Sequence, residues 1–273
     1  MKGARVAPVG RLGIAGRRTL GLIGIAALVF VLGGSLPASA IAHGTVDTVH
    51  TYAVATIAVF PDGSIFWCSG TLVSARVVVT AAHCTPPPGV TLPIFVSFAT
   101  NLLDRKSWRE VVAFATHPEF TGTPTVESDP HDVAVLILAK PVKDITPAKL
   151  ATVGYLDALR AAGLIQDAKF AILGYGLDEN LQLTGDRRIA YSEYQNLHEA
   201  RLITSSNANR GNGGVCNRDS GGPVLHSDGI TEFFVALHRG GSGNCAQAGY
   251  NEHYRVDTVS SQNFILGEIA ANQ

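Results

Sequence analysis

Beyond residue 40 the chain is a succession of short apolar runs, each cut off after a few residues by Gly, Pro, Ser or Asn. Runs of that length are too short for most helices and match strands joined by turns, so the pattern predicts an all-β protein. Only 16% of residues are charged, and 29 glycines and 13 prolines supply the turns. One exception closes the chain. Over 258–271, Val259, Gln262, Phe264, Ile265 and Ile269 recur at helical spacing and predict a C-terminal helix packed on the strands.

Within this frame the segment Cys216-Asn217-Arg218-Asp219-Ser220-Gly221-Gly222-Pro223 stands apart. Paired glycines let backbone pass close to a ligand and adopt angles closed to other residues. A serine held there presents its hydroxyl beside backbone N–H groups, which is what an acyl-transfer nucleophile and its oxyanion require. Alone, the segment has a second reading as a Gly-rich turn, the less favoured of the two.

A nucleophilic serine needs a base. Of nine histidines, His83 has the most defined setting: it follows Val77-Val78-Val79 and the small residues Ala81 and Ala82, which place it at a strand end with room for a substrate. The base needs an orienting carboxylate. Asp132 leads the unbroken apolar run Val133–Leu138, a buried strand, so its carboxylate is desolvated and needs a partner such as an imidazole N–H. Seen singly, these residues read as a core histidine and a capping aspartate.

The N-terminal residues form a distinct unit. Lys2, Arg5, Arg11, Arg17 and Arg18 precede an uncharged apolar run, Leu20 to Leu32, and then Ala38-Ser39-Ala40. The run is too short to span a bilayer comfortably, and the small residues form a cleavage pattern. Residues 1–40 are therefore expected to be a signal peptide, the protein to be secreted, and no stable membrane anchor to remain after cleavage. A twin-arginine route and an uncleaved anchor are the alternatives. The leader takes five of the 21 basic residues and none of the 22 acidic ones, so the rest of the chain is acidic. No concentrated basic surface for nucleic acid is present.

Three segments, Thr80–Cys84, Asp132–Leu138 and Asp219–Pro223, resemble the signature segments of the trypsin/chymotrypsin family of serine proteases, and the order His83, Asp132, Ser220 is that family's. Cys68-Ser69-Gly70-Thr71-Leu72-Val73, His117-Pro118-Glu119-Phe120 and Gly174-Tyr175-Gly176 resemble its connecting elements, so the likeness covers roughly 41–271. It implies two six-stranded antiparallel β-barrels, one over about 41–142 and one over about 151–257, with a helix over about 258–271. It also implies a secreted serine endopeptidase acting on proteins or peptides, a catalytic triad of His83, Asp132 and Ser220, and an oxyanion hole from the N–H groups of Arg218 and Ser220. The expected assembly is a monomer without cofactor, open to protein inhibitors. The alternative is a catalytically weak relative that keeps the fold to bind a partner.

Further expectations rest on the same resemblance. Four cysteines allow three pairings, and the family's pattern selects Cys68–Cys84 and Cys216–Cys245. A zinc site is disfavoured, because neither Cys-x-x-Cys nor His-x-x-x-His spacing occurs. Cleavage after Ala40 would free Ile41, whose ammonium would pair with Asp219 and order the oxyanion loop. Two residues depart from the family: Arg218 replaces its usual glycine, at backbone angles that strain a side chain, and Arg239 stands in place of a serine before Gly240-Gly241. In the substrate pocket, Gly214 replaces the charge-selecting aspartate of trypsins, beside Arg239 and Gly241. Glu252 takes a position usually held by glycine. It would either accept a basic side chain or pair with Arg239 and cancel.

Overall fold

A computed structural model describes residues 41–87, 89–122, 129–242, 245 and 247–273. The leader lies outside the described residues. After a two-residue strand β1 (Thr45–Val46), six antiparallel strands follow. These are β2 (Ala53–Val59), β3 (Ile65–Leu72), β4 (Val77–Thr80), β5 (Ile94–Ser97), β6 (Trp108–Thr116) and β7 (Ala134–Leu138), and they close a barrel in the order β2-β3-β4-β7-β6-β5. A short helix α1 (Tyr155–Ala161) precedes the second set: β8 (Lys169–Gly174), β9 (Arg188–Leu197), β10 (Arg201–Ser206), β11 (Pro223–Ser227), β12 (Glu232–Gly241) and β13 (Gly249–Arg255). Pairing of β8 with β9 closes these six into a second barrel. Helix α2 (Val259–Ala271) ends the chain, capped by the Thr258 hydroxyl, which accepts the Ser261 N–H. The two six-stranded antiparallel barrels and terminal helix are those implied by the resemblance.

The unbroken apolar runs have a direct explanation. Successive residues of a strand face opposite sides. In β7, Leu136 and Leu138 fill the first barrel, whereas Val135 and Ile137 join Leu173, Leu225, Leu237, Tyr254 and Ile265 between the barrels. In β4, Val78 points inward and Val77 and Val79 outward into the same inter-barrel core. Both faces are buried, so no polar alternation survives in the sequence.

Two details differ from the sequence reading. The first residues, expected with barrel one, belong to the second sheet: β1 pairs with β9, and Ala42 bridges Gly214. Gly44 permits this, because a Cβ there would lie 2.8 Å from the Ile189 carbonyl. The helix stripe also omits Val259, which is exposed; Gln262 and Ile265 are buried as expected, and Ser261 joins them with its hydroxyl donating to the Arg255 carbonyl.

One buried ion pair ties the parts together. Arg187, fully buried before β9, donates Nε to Asp47 at 2.8 Å and Nη1 to Ala53, Phe98 and the Tyr175 hydroxyl. Its planar fork joins the N-terminal segment, the first barrel and the start of the second.

Candidate active site

His83 sits in a single 3₁₀ turn, Ala82–Cys84, directly after β4. Its backbone N–H donates to Asp132 Oδ1 at 3.0 Å and its Nδ1 to Oδ2 at 2.8 Å. The carboxylate thus holds both the backbone and the ring of His83 and leaves Nε2 as the acceptor. Asp132 is 2% exposed. Burial pushes its carboxyl up, but the two bonds from His83, the imidazole charge and Arg239 outweigh burial and hold it below the ordinary range.

Ser220 lies in the turn before β11. Its carbonyl accepts the Ser69 N–H at 2.8 Å, tying the turn to β3. The next residue must be glycine. Gly221 has φ +82°, and a Cβ would meet Thr80 Oγ1 at 2.2 Å and the Ser69 carbonyl at 2.4 Å. Ser220 and His83 line one cleft of about 390 Å³ with Phe66, Cys68, Leu177, Asn217 and Arg218. Among the described residues no hydrogen bond joins the Ser220 hydroxyl to His83. Such bonds often tighten only when substrate binds.

Arg218 has φ +81°, the left-handed region anticipated for this position. The side chain is anchored: its guanidinium lies 4.2 Å from the Phe66 ring centre and 4.9 Å from that of Trp67. The cation–π contacts offset strain of on the order of 1–3 kcal/mol. The aromatic pair on β3 was not singled out from sequence, although Phe66-Trp67 directly before Cys68 was the available signal.

Disulfides Cys68–Cys84 and Cys216–Cys245 join β3 to the His83 turn and the Ser220 segment to the loop after β12. Beside the second, Asp219 is completely buried. It accepts the N–H groups of Gly176 and Cys216, both at 2.8 Å. Glycines make its socket: a Cβ on Gly174 would lie 2.1 Å from Asp219 Oδ1, and one on Gly176 would lie 2.6 Å from Cγ. No ion pair to Asp219 forms among the described residues, and burial pushes its carboxyl up to about 7 against the pull of the two N–H groups and Arg188. Ile41 is fully buried in the core of the same barrel, and Ala42 exchanges backbone bonds of 2.9 and 3.0 Å with Gly214.

The family model for Trypsin matches residues 46–264. The chain belongs to the trypsin family of serine endopeptidases. It is 28% identical over 217 residues to a trypsin of Saccharopolyspora erythraea, covering 73% of this chain and 85% of that one. It is 27% identical over 208 residues to a trypsin of Simulium vittatum, at 71% and 78% coverage. Among solved structures, HL collagenase shares the fold, with a TM-score of 0.67 and 17% identity over 85% of this chain and 99% of that one.

In this trypsin-family chain the residues expected from sequence to line a substrate pocket take particular positions. Gly214 is bridged to Ala42, and Gly241 ends β12 opposite Asn251. Glu252 is paired with Arg239 Nη1, and Arg201 Nη1 is 3.7 Å from the same oxygen. Of the two outcomes open for Glu252, the structure shows the pairing. One cluster elsewhere has metal-ligand chemistry: His117, Glu119 and His131. The imidazoles are stacked 4.5 Å apart with planes only 11° apart. Nitrogens of both rings meet one atom, the Ser260 hydroxyl oxygen, at 3.1 Å from His117 Nε2 and 3.3 Å from His131 Nδ1.

Proposed function

We propose that this trypsin-family endopeptidase is secreted and cleaves proteins or peptides through Ser220, His83 and Asp132 by way of an acyl-enzyme. The observation that carries the reading is the doubly bonded His83–Asp132 pair, with the Nε2 acceptor in the same cleft as Ser220. Nε2 takes the Ser220 proton as Oγ attacks the carbonyl. The N–H groups of Arg218 and Ser220 stabilise the oxyanion, and the imidazolium then gives its proton to the leaving amine. Water repeats the sequence to release the acid. Residues 1–40 serve as the export signal, and no described helix is long and apolar enough to cross a membrane. Release of Ile41 supplies the cation that Asp219 lacks.

A nitrophenyl ester should give a pre-steady-state burst equal to the enzyme concentration, and Ser220→Ala should abolish it and lower peptide hydrolysis at least about 10⁴-fold. No burst from the chain beginning at Ile41 would leave only a binding role. N-terminal sequencing of the secreted protein should begin at Ile41; any other start contradicts the activation step.

A further inference from the structure

We infer that Arg239 is a specificity-determining residue that closes the substrate pocket to basic side chains, so that this peptidase selects an uncharged side chain at the residue before the scissile bond. The inference rests on the Ser220 reading above.

The placement of Arg239 begins with the sheet. Strands β12 and β13 pair in register as far as His238 with His253, and pairing resumes one residue late, at Gly240 with Glu252. Arg239 is the extra residue of a β-bulge, a device that re-aims a side chain. From the bulge its guanidinium spans two carboxylates. Nη1 pairs with Glu252, and Nε lies 3.5 Å from Asp132 Oδ2. Both Arg239 and Glu252 are largely buried, with side chains 14% and 15% exposed.

Two consequences follow for a substrate. Glu252, the acidic side chain expected at the pocket, is already paired with Arg239, with Arg201 as a second cation beside it. Gly214 brings no charge of its own. A Lys or Arg side chain entering the pocket would therefore find no free carboxylate and would meet the charge of Arg239. Repulsion of the wrong partner is as effective a source of selectivity as attraction of the right one. Arg239 cannot simply swing aside, because it also faces the carboxylate that orients His83. Displacing it would leave buried charge on Asp132 and Glu252 less well balanced.

The test is a peptide library scored by the residue before the cut, for the chain beginning at Ile41 and three variants. The wild type should cleave after uncharged residues at least tenfold better than after Lys or Arg. Arg239→Ser should free Glu252 and raise cleavage after Lys or Arg about tenfold, short of a full reversal because Arg201 remains. Adding Glu252→Gln should remove that gain, and Arg239→Lys should keep the wild-type profile. Should Arg239→Ser fail to fold, Arg239→Gln makes the same comparison at similar volume. A wild type that prefers basic residues, or a profile unmoved by loss of Arg239, overturns the inference while leaving the Ser220 mechanism standing. A wild type without an ester burst overturns both.

Discussion

Two buried aspartates lie on either side of the Ser220 turn's chemistry, and they behave oppositely. Asp132 and Asp219 are 2% and 0% exposed, and each accepts two short hydrogen bonds. Yet the carboxyl of Asp132 is held down, whereas that of Asp219 is pushed up to about 7. Hydrogen bonding is similar, so the difference is charge. Asp132 faces His83 and Arg239; Asp219 faces two neutral amides in a glycine-lined socket, with Arg188 acting only at a distance. In the proposed mechanism Asp132 already has its charged partners, and Asp219 still needs a cation. On the proposed activation step Ile41, buried in the same barrel, would supply it once its nitrogen becomes an ammonium.

The comparison is broken most severely by neutralising each aspartate in turn. Asp132→Asn keeps the shape but favours the wrong His83 tautomer, and kcat should fall about 10⁴-fold with unfolding unchanged within about 1 kcal/mol. Asp219→Asn should instead act through the loop, removing ester-burst amplitude from the chain beginning at Ile41.

A pH series sharpens the contrast. In the full 273-residue chain the Asp219 carboxyl titrates near 7 when folded and near 3.9 when unfolded, so the folded state binds the extra proton between these values. Stability from this group is therefore highest below about pH 4 and falls as pH rises to about 7, by up to about 4 kcal/mol. Denaturant midpoints across that range should show the decline, Asp219→Asn should flatten it, and so should release of Ile41.

The smallest effect concerns Arg218. Arg218→Ala loses the contacts to Phe66 and Trp67 while retaining the positive φ, and should destabilise by about 1 kcal/mol. Arg218→Gly relieves the strain as well and should lie within about 0.5 kcal/mol of wild type. Equal values for the two would show that the aromatic anchor carries no weight.

The parts legible in the sequence were those whose chemistry is local. Gly221 follows Ser220 because nothing larger fits beside Thr80, and Asp132 precedes an apolar run because β7 is buried on both faces. The fold and the cysteine pairs came from the resemblance and match the structure. What could not be read depends on approach between distant segments. The pairing of β1 with β9 joins residues more than a hundred apart, and neighbouring sequence pointed to the wrong barrel. Whether Glu252 was free or paired turned on a one-residue bulge at Arg239, which periodicity does not report. The Arg187–Asp47 pair left no local trace, since a lone arginine reads as surface.

The central claim, that Ser220 becomes a competent nucleophile when Asp219 gains its cation, is tested most directly by fluorophosphonate labelling of two proteins, the full chain and the chain beginning at Ile41, with the modified residue mapped by mass spectrometry. The account predicts stoichiometric label on Ser220 in the shorter chain, lost with His83→Ala, and little in the full chain. Equal labelling of both, or label on a serine other than Ser220, would contradict it.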